Sequence, residues 1–153
     1  MDDPTHLTAW QRLDAATTTS GFLTGADLLT LSELGTRTVI NLALADHPRA
    51  LADEAGQLAA LGIAYHHIPV PFDAPGDDHF TAFCAALAEA ERPLHVHCIF
   101  NWRVSAFFCR YHQSVTGMSA TEARALMARQ WDPAAHDHPD APAWARFIAT
   151  DQS

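Results

Sequence analysis

Apolar residues along this chain fall into two alternating rhythms. TRTVINLAL, IAYHHIPV and LHVHC are short apolar, β-branched runs. They predict buried strands over about 38–43, 63–69 and 94–98. TTTSGFLTG, around residues 17–25, predicts a further short strand and a turn. Between these runs the period changes to that of a helix. ADLLTLSEL predicts a helix over about 26–34, stopped at Gly35. Leu51, Ala55, Leu58 and Leu61 predict another over about 49–61, stopped at Gly62, and Phe80, Phe83, Cys84 and Leu87 a third over about 79–91, broken before Pro93. RVSAFFCRYHQSV continues helically to about 115, before Gly117. Ser119-Ala120-Thr121-Glu122 is a capping box opening a helix to about 130, and AWARFIAT predicts a last one over about 143–150.

Strands that alternate with helices of this length predict an α/β fold. The expected core is a mostly parallel sheet of about four to five strands with helices on both faces. Ligands of such folds bind beyond the carboxyl ends of the strands. In this chain those ends are the loops after Leu42, Val70 and Cys98.

A chain of 153 residues fits one domain spanning residues 1–153, large enough to fold without a disulfide or metal staple. The formal net charge is −9, and all nine basic residues are Arg. That balance disfavours nucleic acid and anionic membranes as partners, since both are bound by clustered cations. No apolar run approaches a membrane span, and the acidic, polar N-terminus lacks the character of a targeting segment. A cytoplasmic location is the expectation. Cys84, Cys98 and Cys109 cannot all pair and form no C-x-x-C. Cys84 and Cys109 lie in helical apolar patterns and read as buried thiols.

Cys98 differs because it ends a strand and precedes a helix, in His97-Cys98-Ile99-Phe100-Asn101-Trp102-Arg103-Val104-Ser105. A helix N-terminus offers unpaired N–H groups and a positive dipole end, which hold anions and favour a thiolate. Arg103 offers a bidentate fork to an oxyanion. Asn101 is the residue most tolerated, after Gly, in the left-handed conformation a tight cradle needs. Ser105 is placed to donate to the thiolate, and His97 to support the loop through its backbone. The plain alternative is a buried strand-end thiol beside a surface Arg.

With these residues in view, the chain resembles the cysteine-dependent protein phosphatases of dual-specificity type. It is more similar still to the small bacterial phosphatase-like family related to the N-terminal domain of β-lactamase-hydrolase-like proteins. The resemblance spans TTSGFLTGADLLTLSELGTRTVINL, LGIAYHHIPV, VHCIFNWRVSAF and the C-terminal pattern of Trp131, Pro133, Pro142, Trp144 and Phe147. It implies a phosphomonoester hydrolase without cofactor or metal. Cys98 would attack phosphorus to form a phosphocysteine. Arg103 and the loop from Ile99 to Ser105 would hold the phosphoryl oxygens. Pro71-Phe72-Asp73 resembles the family's acid loop, so Asp73 is the implied proton donor. Asp77 and Asp78 lie nearby and read alternatively as a helix N-cap and an N-terminal charge.

The spacing departs from the phosphatase signature, which has five residues between Cys and Arg where this chain has four. Moving Arg back one place turns it by about 100° on the helix, so Arg103 must approach the anion from another side. Val104 then takes the usual Arg position. Rhodanese-type sulfurtransferases carry the shorter C-x-x-G-x-R, which makes a Cys98 persulfide the alternative chemistry. A phosphate- or phosphoprotein-binding module without turnover is another. The expected partner is a phosphorylated substrate. With few cations near the loop, phosphotyrosine or a small aryl phosphate fits better than an inositol polyphosphate. Trp102 could stack on such an aryl group, while Ile99 reads as packing beneath the loop. Among the ten histidines, His136-Asp137-His138 is the densest cluster, but it lacks a recognised metal-ligand spacing.

Overall fold

The computed structural model describes residues 3–149. Five strands form one sheet: β1 (Gln11–Asp14), β2 (Thr17–Ser20), β3 (Thr38–Asn41), β4 (Ala64–His67) and β5 (Leu94–His97). Their order across the sheet is β1-β2-β5-β3-β4. β2, β5, β3 and β4 run parallel, and β1 is antiparallel to β2. The helices are α1 (Gly25–Glu33), α2 (Glu54–Ala60), α3 (Asp77–Glu89), α4 (Trp102–Tyr111), α5 (Ala120–Met127) and α6 (Ala141–Ile148), with a π-helical turn over His112–Thr116 after α4. The expected α/β architecture is present.

Strand alternation divides the core between two faces. Val39 packs with Leu28, Leu31, Leu58 and Ile63, on the side of α1 and α2. Its neighbour Ile40 packs with Phe83, Phe107, Val104 and Trp144, on the side of α3, α4 and α6. Strand order explains how the site is assembled. Ser20 and Asn41 are both registered on His97, so the ends of β2 and β3 flank the end of β5. The loops that follow all three strands therefore meet at one edge.

Several boundaries differ from expectation. β1 carries the sequence Gln-Arg-Leu-Asp, too short and polar for a periodic signal, and it exists by pairing with β2. α2 begins only at Glu54, because the chain passes through Asp53 in the left-handed region (φ 51°). α3 begins at Asp77 with Gly76 as its N-cap, so Asp77 is the first helical residue and pairs with Arg110 Nη2 at 3.0 Å. α5 has the expected cap, Ser119 accepting from the Glu122 amide, but ends near Met127.

Candidate active site

The loop from His97 to Arg103 is fixed from below. Asn101 stands at φ 67° as the N-cap of α4, in the left-handed conformation expected of it. Its buried side chain ties the loop to the β1–β2 hairpin. Nδ2 donates to the Ala9 carbonyl at 2.8 Å and to Thr19 Oγ1 at 3.0 Å, while Oδ1 accepts from Ser105 Oγ at 3.0 Å. Ser105 thus spends its hydroxyl on Asn101 rather than on the Cys98 sulfur. Its amide is also engaged, donating to the Asn101 carbonyl at 3.0 Å. The first-turn amides of Trp102, Arg103 and Val104 remain for an anion.

On the other side of the loop, Phe22 N donates to the Ile99 carbonyl at 2.8 Å. Gly21 makes this approach possible, since a Cβ there would lie 2.4 Å from that carbonyl oxygen. Ile99 and Val104 point into the apolar core as packing. The Val104 side chain is fully buried and does not line the cleft at Cys98.

Behind Cys98 lies a buried polar cluster. His97 Nε2 is 2.6 Å from Glu54 Oε2, and its Nδ1 is 3.3 Å from the Cys98 carbonyl. Both side chains of the pair are about 95% buried, at 4% and 5% exposure. Asn41 Nδ2 donates to Glu54 Oε1 at 3.4 Å and to the Tyr65 hydroxyl at 3.1 Å. Burial, reinforced by the Glu54 carboxylate, pushes the Tyr65 phenol up to about 12, against the opposing bond from Asn41. Glu54 was not legible as part of the candidate site. One acid in an amphipathic run reads as solvated, and only the pairing of β3 with β5 carries it under the loop that follows β5.

Cys98, Ile99, Phe100, Trp102 and Arg103 line one cleft of about 220 Å³ together with His47, Phe72 and His138. Arg103 reaches it from the side of the β4–α3 loop. Its Nε donates to the Val70 carbonyl at 2.8 Å, and its guanidinium lies 5.1 Å from the centre of the Phe72 ring. That anchoring leaves the two terminal nitrogens for a ligand. Burial lowers the Arg103 pKa. The nearby Cys98 sulfur acts in the opposite direction. The short spacing thus still brings thiol and guanidinium together. Burial pushes the thiols of Cys84 and Cys109 up.

The cleft has an aromatic wall. Trp102 stacks on Trp131 with centroids 4.8 Å apart and planes 5° from parallel, and Phe72 packs against Trp102, Trp131 and Trp144. Trp131 Nε1 donates to the Trp102 carbonyl at 2.9 Å, and Trp144 Nε1 to the Phe72 carbonyl at 2.7 Å. Phe100 is the exposed rim, at 51%. Asp73 is not brought to this cleft. It is exposed and lines a neighbouring cavity of about 300 Å³ with Asp77, Arg110, Arg146 and Phe147. His136 lies edge-on to Trp102, and among the described residues no group of three or more His, Cys, Asp or Glu is placed to hold a metal.

The family model described as DSP-PTPase phosphatase fused to NAD+ kinase matches residues 6–140. The chain belongs to this family. It is a phosphatase of the cysteine-dependent, dual-specificity-like superfamily, in agreement with the resemblance read from sequence. Among solved structures it is similar to a candidate phosphatase of the DUF442 group from Shewanella putrefaciens CN-32. The two share 25% identity and a TM-score of 0.78, over 94% of this chain and 90% of that one. Two further structures share the phosphatase's fold. TpbA of P. aeruginosa, in complex with pTyr, has 22% identity and a TM-score of 0.72 over 94% of this chain and 85% of its own. The core catalytic domain of the PP-IP phosphatase SIW14 from S. cerevisiae has 16% identity and a TM-score of 0.76 over 96% and 88%. No curated protein matches the chain significantly. No helix among the described residues is long and apolar enough to cross a membrane.

Proposed function

We propose that this phosphatase hydrolyses aryl phosphomonoesters, phosphotyrosine or a small aryl phosphate, through a phosphocysteine on Cys98. One observation carries the reading. Cys98 and Arg103 line the same cleft at the open N-terminus of α4, where the Arg103 Nε is held on the Val70 carbonyl. Cys98 Sγ attacks phosphorus and the ester oxygen departs. Arg103 and the amides of Trp102, Arg103 and Val104 hold the equatorial oxygens through the transition state. Water then cleaves the S–P bond and releases phosphate.

The choice of an aryl ester rests on the lining of the cleft. Arg103 is its one Arg or Lys among the described residues, beside Phe72, Phe100 and Trp102. A polyphosphorylated inositol would need several cations; a phenyl ring needs an aromatic wall.

The test is hydrolysis of para-nitrophenyl phosphate by the wild type and by Cys98→Ser, beside a thiosulfate-to-cyanide assay. The expected outcome is turnover that Cys98→Ser abolishes, with no transfer of sulfur. Sulfur transfer without phosphate release would assign the loop to persulfide chemistry instead. Binding of inorganic phosphate with neither activity would make it a binding module.

A further inference from the structure

The phosphatase reading leaves one charge unattended, the pair of electrons that departs on the ester oxygen. The family resemblance assigns it to Asp73, but Asp73 opens onto the neighbouring cavity with Arg110 and Arg146. Its loop is fastened there. Arg103 holds the Val70 carbonyl, Trp144 holds the Phe72 carbonyl, and the Phe72 ring is packed among Trp102, Trp131 and Trp144. Among the described residues no Asp or Glu lines the cleft.

The remaining ionisable groups of the cleft are His47 and His138. Each uses Nδ1 as an acceptor for a backbone amide two residues further on. The Arg49 amide donates to His47 at 3.0 Å and the Asp140 amide to His138 at 3.1 Å. A nitrogen that accepts carries no proton, so in each ring the proton sits on Nε2. Such a neutral imidazole donates a hydrogen bond but does not give up its proton, because an imidazolate would result. His138 belongs to the aromatic wall, with its ring edge-on to Phe72 at 5.2 Å and to Trp102 at 6.3 Å. An aryl group lying along that wall brings its ester oxygen to the same side.

The geometry points to His138 as a further catalytic residue, whose Nε2–H stabilises the departing aryl oxygen as an oxyanion in place of a carboxylic acid. This inference rests on the phosphatase reading above and deepens it. In the step, the Cys98 S–P bond forms as the P–O(aryl) bond breaks. The bonding electrons leave on the aryl oxygen, which accepts a hydrogen bond from Nε2–H and takes its proton from water after release. The substrate class follows: esters of acidic hydroxyls, such as phenols, are turned over in preference to alkyl phosphates, whose alkoxide needs a true acid.

The test is a series of substituted phenyl phosphates, from dinitrophenyl to unsubstituted phenyl, with O-phosphoserine as the alkyl ester. The proteins are wild type, His138→Asn and Asp73→Asn. In His138→Asn the Oδ1 can take over the Asp140 amide while the Nε2 donor is lost. The wild-type rate is expected to fall steeply as the leaving group becomes more basic. His138→Asn loses about 10²-fold in kcat on phenyl phosphate and far less on dinitrophenyl phosphate, the scale of removing one oxyanion donor. Asp73→Asn follows the wild type throughout. A leaving-group-dependent loss in Asp73→Asn overturns the inference, as does an equal or absent effect of His138→Asn across the series. Inhibition by orthovanadate at the wild-type level verifies that the His138→Asn loop is intact. If it is not, His138→Ala with added imidazole replaces it: recovery of the phenyl phosphate rate supports the inference and its absence overturns it. A wild type that hydrolyses not even dinitrophenyl phosphate overturns the phosphatase reading itself, a result distinct from all of these.

Discussion

The two sides of the Cys98 cleft are held by opposite means. Beneath and behind Cys98 the contacts are polar and buried: Glu54 on His97, Asn41 on Glu54, Asn101 on Ala9, Thr19 and Ser105. The facing wall is built from rings, with Phe72 against Trp102, Trp131 and Trp144, Trp131 against Trp102 and Trp144, and two indole N–H groups pinning backbone carbonyls. The difference suits what the proposed reaction would ask of each side. A phosphoryl group is held by amides aimed at fixed points, and directional hydrogen bonds fix peptides in orientation. A leaving group is sorted by shape and polarizability, for which stacked rings suffice.

The comparison breaks most visibly at Glu54. Glu54→Ala leaves the imidazole of His97 buried without its carboxylate. It should cost about 3–5 kcal/mol of unfolding free energy, as removing one partner of a buried pair does. Urea denaturation measures it. The polar side should also lose kcat rather than gain KM, because the cluster orients the loop without touching substrate. The milder Glu54→Gln, which keeps an acceptor, should recover part of both losses.

On the aromatic side the corresponding change is smaller. Trp144→Phe removes the donor to the Phe72 carbonyl and keeps a ring in place. It should cost about 1–2 kcal/mol, the range of one hydrogen bond and the unsatisfied group it leaves. The loop carrying Asp73 is then freed. Hydrogen exchange at Asp73 and Ala74 should rise, while exchange in the Asn101 region stays as in the wild type.

The smallest effect lies under the polar side. His95 is fully buried between Thr18 Oγ1 and Ser20 Oγ, each at 2.8 Å, and burial, with the nearby His97 adding to it, drives its pKa well below the ordinary 6.5. Below that ordinary value the unfolded chain takes up a proton that the folded chain refuses. The stability contributed by His95 is therefore complete above about pH 6.5 and is lost as the pH falls through it. Between pH 6.5 and 5.5 the loss should be about 1 kcal/mol, read as a shift of the urea midpoint. His95→Gln should flatten that dependence.

These regions were unequally legible in the sequence. The four parallel strands, the loop after β5 and the left-handed Asn101 followed from local patterning, because each depends on residues close along the chain. β1 did not, since Gln11–Asp14 has no rhythm of its own and becomes a strand only beside Thr17–Ser20. Glu54 was hidden for the same reason, its burial being a product of strand order. His138 was visible only as part of a dense His–Asp–His run, and its place in the cleft depends on Trp131 stacking on Trp102 across the fold. Asp73 shows the reverse case. Its sequence context resembles an acid loop, yet the contacts of Phe72 and Val70 decide where its carboxyl lies, and those partners, Trp144 and Arg103, are distant in sequence.

The most direct test of the account is the covalent intermediate. The wild type is mixed with an aryl phosphate, quenched in acid within one turnover, and digested for mass spectrometry. The account predicts a single phosphoryl group on the peptide carrying Cys98, formed with a burst of the released phenol and absent in Cys98→Ser. Turnover that persists in Cys98→Ser, or a phosphoryl group on any other residue, would contradict it.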